Sequence, residues 1–240
     1  MYNFLISGAI ACAAFAILML VGLPWWGALV IALLLFGGAF LLIARQVTKK
    51  VMAVMETATK DLQAQRVEKA IRELKEAFKY SRWQIYVEGQ INSQIGTIYY
   101  IKRDFSNAFP YLEKSFPKNW VAMAMLGITY MKRNKQDKMK ESFEKGVQWS
   151  GKESLLWSLY AYCWTECGDN GKAKEVLERG LKKLPGDPKL KENLAALTDG
   201  KKMKMRDYGE MWLQFHLERP GVIAKQAASL AGQKRRIIRR

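Results

Sequence analysis

The sequence predicts an all-α protein: two N-terminal transmembrane helices followed by an α-solenoid of stacked antiparallel helix pairs. Three observations predict it. No Asp, Glu, Lys or Arg occurs before Arg45, so the formal charge of +17 belongs entirely to residues 45–240. Gly127, Tyr130, Met139, Phe143 and Gly146 return 34 residues later as Ala161, Trp164, Ala173, Leu177 and Gly180. The same five positions occur 31 residues earlier as Gly96, Tyr99, Ala108, Leu112 and Ser115. Periods of this length belong to arrays of small helical units that bury their apolar sides only by stacking.

Residues 1–48 are read as a transmembrane helical hairpin, with spans at about 4–22 and 28–44. A bilayer core needs roughly 20 helical residues, so the apolar run is too long for one span and fits two. One long tilted span is the alternative. Leu23-Pro24-Trp25-Trp26-Gly27 separates the runs, with Pro24 and Gly27 expected to make the turn and both tryptophans expected at a headgroup boundary. Gly37-Gly38 would permit close helix approach, or serve ordinary packing within the hairpin. A signal peptide is disfavoured, since Met1-Tyr2-Asn3 carries no charge and the run far exceeds a 7–15-residue apolar region. Arg45, Lys49 and Lys50 follow the second span, whereas the short loop is uncharged. The positive-inside rule then places the C-terminal domain in the cytoplasm, the address of a multi-pass bacterial inner-membrane protein.

The repeats occupy residues 89–187, in units of about 89–119, 120–153 and 154–187. All internal spacings survive the change from 34 to 31, so the shortening lies at Phe116-Pro117-Lys118, a turn between units. Small residues (Gly96, Gly127, Ala161, Ala108, Ala173) stand where paired helices approach closely. Large ones (Tyr99, Tyr130, Trp164, Leu112, Phe143, Leu177) fill the space between neighbours. Turns fall at Lys102-Arg103-Asp104, Arg133-Asn134-Lys135 and Gly168-Asp169-Asn170-Gly171. Upstream, Ala70, Leu74 and Ala77 precede Ala108, Leu112 and Ser115 by 38 residues, so 49–88 reads as a degenerate first repeat continuing from the second span. Residues 188–200 read as a capping helix, and 201–240 as a basic C-terminal segment.

The pattern resembles the tetratricopeptide repeat, W-x2-L-G-x2-Y … A-x3-F … P. Trp157, Tyr160, Ala161, Trp164, Ala173, Leu177 and Pro185 follow it in the last unit. Leu126, Gly127, Tyr130 and Phe143 follow it in the middle unit, and Ile95, Gly96, Tyr99, Ala108 and Leu112 in the first. Met139 replaces a small residue, and the middle unit ends in Ser150-Gly151 without a proline.

The resemblance implies a concave groove, formed by the first helix of each unit, that receives an extended peptide or a partner's helix. By helical spacing the groove residues are Gln90, Ser93, Thr97 and Tyr100, then Val121, Ala124, Ile128 and Met131, then Leu155, Ser158, Tyr162 and Thr165. This set is uncharged. Repeat domains of the family that clamp a chaperone's C-terminal carboxylate place Lys, Arg and Asn there, so an apolar or aromatic-anchored peptide fits better. The other occupant is internal. Residues 208–215 (YGEMWLQF) are aromatic for a tail, with Trp212 and Phe215 on one helical face, and would dock on the solenoid or on a partner. His216 beside them reads as an incidental polar residue.

Residues 201–240 hold eleven basic and three acidic residues. Lys201, Lys202, Lys204 and Arg206 form one cluster; Lys234, Arg235, Arg236, Arg239 and Arg240 form another. Anionic lipid headgroups, an acidic protein or nucleic acid would answer this charge. No nucleic-acid module accompanies it, so lipid or protein is favoured. Residues 224–238 would form an amphipathic helix lying on lipid.

Little catalytic chemistry is on offer. Three cysteines and one histidine make neither a disulfide framework nor a zinc site, and Cys163 and Cys167 read as core thiols. Gly168-Asp169-Asn170-Gly171-Lys172-Ala173 fails as a phosphate loop: Glu166 stands where the leading glycine belongs and Ala173 where the metal-binding hydroxyl belongs. The expectation is a non-enzymatic adaptor with no cofactor, metal or small-molecule substrate. It would bind a protein or peptide in a membrane-associated complex. A constitutive structural subunit whose groove holds its own C-terminal segment, or a membrane-tethered nucleic-acid binder, are the alternatives.

Overall fold

The computed structural model describes residues 1–218. Those residues are helical, with no strand among them. The basic cluster at Lys234–Arg240 and the amphipathic helix expected at 224–238 lie outside the described residues. The chain divides into two compact units. One comprises Met1–Ile98 with Lys114–Phe116; the other comprises Tyr99–Glu113 and the chain from Pro117 onward.

In the first unit, α1 (Tyr2–Leu20) and α2 (Trp25–Gln63) pack as a hairpin. Both are long and apolar enough to cross a membrane. The turn differs from the expected one. Gly22 takes the left-handed conformation at φ 85°, its N–H bonded to the Met19 carbonyl and that of Leu23 to the Leu18 carbonyl. Gly27 lies inside the first turn of α2, and Pro24 caps that helix in extended conformation. A glycine after the last helical turn closes a helix with two backbone bonds, a stronger local device than a glycine that merely loosens the chain. Neither Gly37 nor Gly38 has a neighbour where a Cβ would stand. The close face uses Ala28 and Ala32 instead, both buried. Phe4 meets Phe36 edge-on across the hairpin.

Helix α2 does not stop where its apolar stretch ends. It continues to Gln63 and packs against α3 (Val67–Glu76), which buries Ala70, Ile71 and Leu74. The Lys69 ammonium, 3.0 Å from the buried Asp61 carboxylate, ties the pair. A short 3-10 turn (Ala77–Tyr80) leads to α4 (Val87–Ile101).

The second unit stacks α5 (Phe105–Glu113), α6 (Trp120–Lys132), α7 (Gln136–Trp149), α8 (Ser154–Glu166), α9 (Asn170–Lys183) and α10 (Pro188–Thr198). Sequential neighbours form the pairs α6/α7 and α8/α9, and α6 packs on α8. Close approach occurs at small residues. A Cβ on Gly127 would stand 2.5 Å from the Phe143 ring, and one on Gly180 2.9 Å from Trp157. Between pairs, Phe143 stacks on Tyr160 with ring centroids 4.9 Å apart. Tyr160 donates to Glu144, whose two carboxylate oxygens also accept from Arg179 at 2.7 and 2.8 Å. Three helices share that carboxylate, which the Arg179 guanidinium holds below the usual carboxylate range.

Candidate peptide groove

Three of the groove residues lie in the first unit. Ser93 is buried and structural: its hydroxyl donates to the Gly89 carbonyl at 2.8 Å and accepts the Phe116 N–H at 2.9 Å. Gln90 and Thr97 are half-buried. The other nine lie in the second unit. Tyr100, Ala124, Ile128, Leu155 and Ser158 are buried, whereas Val121, Met131, Tyr162 and Thr165 are half-buried.

The second unit brings most of these residues into one cluster with the chain's own C-terminal segment. Tyr100, Ala124, Ile128 and Leu155 share a continuous apolar core with Met205, Trp212 and Phe215, and Val121, Met131 and Tyr162 pack against it. Trp212 is 2% exposed and Phe215 0%. The segment consists of a 3-10 turn (Met205–Tyr208) and the single-turn helix α11 (Glu210–Leu213). Gly209 joins them at φ 59°.

The segment is seated from its beginning to its end. The Lys204 N–H donates to Asn193 Oδ1 on α10 at 2.7 Å, and Asn193 Nδ2 donates to Ser158 Oγ at 3.3 Å. The Tyr208 hydroxyl lies 2.7 Å from Ser154 Oγ and 2.8 Å from Ser158 Oγ on α8. Trp212 meets the Tyr162 ring edge-on at 5.0 Å. Phe215 packs on Trp120 at the start of α6, and its carbonyl accepts from the Tyr100 hydroxyl at 2.9 Å. His216 stacks on Tyr100, lies edge-on to Phe105, and has Nε2 3.0 Å from the Ile101 carbonyl. In chain order the segment therefore meets α10, α8, α6 and the end of α4, against the direction of the array. Of these, α8 and α6 are the first helices of the pairs α8/α9 and α6/α7. Helix α5 contributes the Phe105 ring.

Burial sets the protonation of the groove. It pushes the Tyr100 and Tyr162 phenols well above the ordinary tyrosine range and the buried Cys163 thiol above that of a free cysteine. It holds His216 below the ordinary 6.5, helped by the charges of Arg103 and Lys132 and opposed by the hydrogen bond to Ile101. His216 is thus a seated neutral side chain, not an incidental one.

Sequence spacing did not find Asn193, Ser154, Trp120 or the Phe215 carbonyl. Asn193 carried a readable signal: it stands between Leu190 and Leu197 on the buried face of α10, where a polar side chain needs a partner. Of the first basic cluster, Lys201 lies beside Asp199, Lys204 beside Glu192 and Arg206 beside Glu218. Lys202 is exposed.

Helix pairs stacked one on the next, with a short aromatic segment of the same chain packed across them, define a helical-repeat architecture. The family model described as tetratricopeptide repeat matches residues 122–153, the length of α6 and α7. Over that helix pair the chain is similar to the tetratricopeptide repeat. No curated protein matches it.

Proposed function

We propose that this chain is a non-enzymatic scaffold anchored in a membrane by α1 and the first half of α2, its repeat array on the cytoplasmic side and its groove held by its own C-terminal segment. The burial of Trp212 and Phe215 in the face of the first helices carries this reading. The side chains that a partner's aromatic anchors would contact are already in contact with this chain's own. As a subunit of a membrane-associated complex it would meet protein partners through other faces. Two apolar helices at the N-terminus and Arg45, Lys49 and Lys50 after the apolar stretch support the anchor and its orientation.

A second reading has its own support. The segment resembles a bound peptide: a short turn, two aromatic anchors and few backbone bonds to its host. A partner peptide of the same aromatic character would take its place, making the protein an adaptor with a self-occupied groove. A photoreactive amino acid replacing Tyr162, in the full chain in native membranes, separates the two. The scaffold reading expects a crosslink within the chain, to the stretch around Trp212. Crosslinks to a foreign protein, with the segment left free, would establish the adaptor instead.

A further inference from the structure

Residues 79–86 (KYSRWQIY) join the first 3-10 turn to α4 and contain two basic residues, four large apolar or aromatic side chains besides Ser81 and Gln84, and no acidic residue. Three contacts fix this stretch against the open end of the helical hairpin, within the first unit. The Tyr2 N–H, at the start of α1, donates to the Arg82 carbonyl at 3.0 Å, and the Tyr2 ring meets Trp83 edge-on at 5.6 Å. On α2, the Thr48 hydroxyl donates to Gln84 Oε1 at 3.4 Å.

Those contacts set a depth. Thr48 lies four residues beyond Ala44, the end of the uncharged stretch, and a helix rises about 1.5 Å per residue. The stretch is therefore held roughly 6 Å past the end of the apolar run, within the headgroup layer on one side of a bilayer. Its exposed chemistry suits that layer and not water. Ile85 is 61% exposed and Tyr86 59%. Tyr80 and Trp83 are half-buried, while Lys79 and Arg82 are exposed, as are Arg45, Lys49 and Lys50 on α2. Amphipathic aromatic rings favour the interface, and each basic side chain near an anionic leaflet contributes about 1 kcal/mol.

We infer that residues 79–86 form a membrane-interface element: Ile85 and Tyr86 enter the headgroup layer, and Lys79 and Arg82, with Arg45 and Lys49, bind acidic phospholipid headgroups. This rests on the reading of α1 and α2 as membrane spans. The element clamps the start of the repeat region to the bilayer independently of the basic C-terminal residues.

The test uses the full chain with Cys12→Ser and Cys167→Ser, the buried Cys163 being left in place. A fluorophore is attached in turn at Ile85→Cys, Leu34→Cys and Lys60→Cys, and the protein is reconstituted into vesicles of phosphatidylcholine or of phosphatidylcholine with one-third phosphatidylglycerol. Lipids carrying a nitroxide near the headgroup or at the chain end serve as quenchers. The Ile85 probe is expected to be quenched by the shallow nitroxide and little by the deep one, the Leu34 probe by the deep one, and the Lys60 probe by neither. Phosphatidylglycerol should raise the shallow quenching at Ile85 about twofold, and Lys79→Gln with Arg82→Gln should remove that increase. A Leu34 probe in the bilayer with an Ile85 probe behaving like Lys60 would overturn this inference and leave the anchor standing. A Leu34 probe that no lipid quenches would overturn the anchor and the inference together. Quenching at Ile85 indifferent to phosphatidylglycerol would overturn the headgroup assignment.

Discussion

Gly127 shows how little latitude single positions have in the array. A methyl group there would stand 2.5 Å from the Phe143 ring, which cannot retreat because Tyr160 is stacked behind it. Gly127→Ala should cost about 2 kcal/mol through overpacking, read as a lowered thermal midpoint. His216 makes a second prediction. Its docked value lies below 6.5, so docking is fully favourable above 6.5 and weakens as pH falls through 6.5 towards the lowered value, because the free segment then binds a proton that the docked one excludes. Proteolysis within residues 203–218 should therefore quicken on mild acidification, and His216→Phe should flatten that dependence. Unchanged cleavage between neutral and mildly acid pH would remove the titration from the account. The Tyr100 hydroxyl on the Phe215 carbonyl was not legible from the sequence, because a backbone acceptor carries no residue signature.

At the scale of elements, the turns repeat as faithfully as the helices. Gln65, Arg103, Asn134 and Gly168 all have left-handed backbones, at φ 62°, 65°, 55° and 83°. Their intervals of 38, 31 and 34 residues are those of the side-chain repeat. After each helix the N–H of Arg66, Asp104, Lys135 or Asp169 bonds to the carbonyl five residues back, at 2.8–3.0 Å. This double-bonded closure satisfies carbonyls that a helix end leaves bare. Composition alone pointed to the turns at 103, 134 and 168. The one at Gln65 was hidden because glutamine has no turn preference; only the 38-residue register of Ala70, Leu74 and Ala77 hinted at it. Arg103→Gly should stabilise the protein by up to about 1 kcal/mol by relieving the left-handed strain, and Gly168→Ala should destabilise it by a similar amount. Equal midpoints for both variants and the parent would contradict the strain argument. Trp212→Ala removes a fully enclosed ring and should release the segment, at a cost of about 3 kcal/mol.

For the whole molecule, the sequence separated an apolar N-terminal part from a basic body, and it located the array through its period. It left open what the groove holds. Periodicity reports which face of a helix is apolar and not what covers it, and residues 208–215 were equally suited to this groove or to another protein's. Asn193 on α10, Ser154 on α8 and Tyr100 at the end of α4 hydrogen-bond the segment at three places. The account stands on that internal occupancy, and hydrogen exchange of the full chain in a bilayer tests it most directly. The amides of Trp212, Phe215 and His216, bonded to Gly209, Trp212 and Leu213, should exchange as slowly as those of α10 and lose protection together in Trp212→Ala. Complete exchange of those amides in the unaltered protein within the shortest labelling time would contradict it.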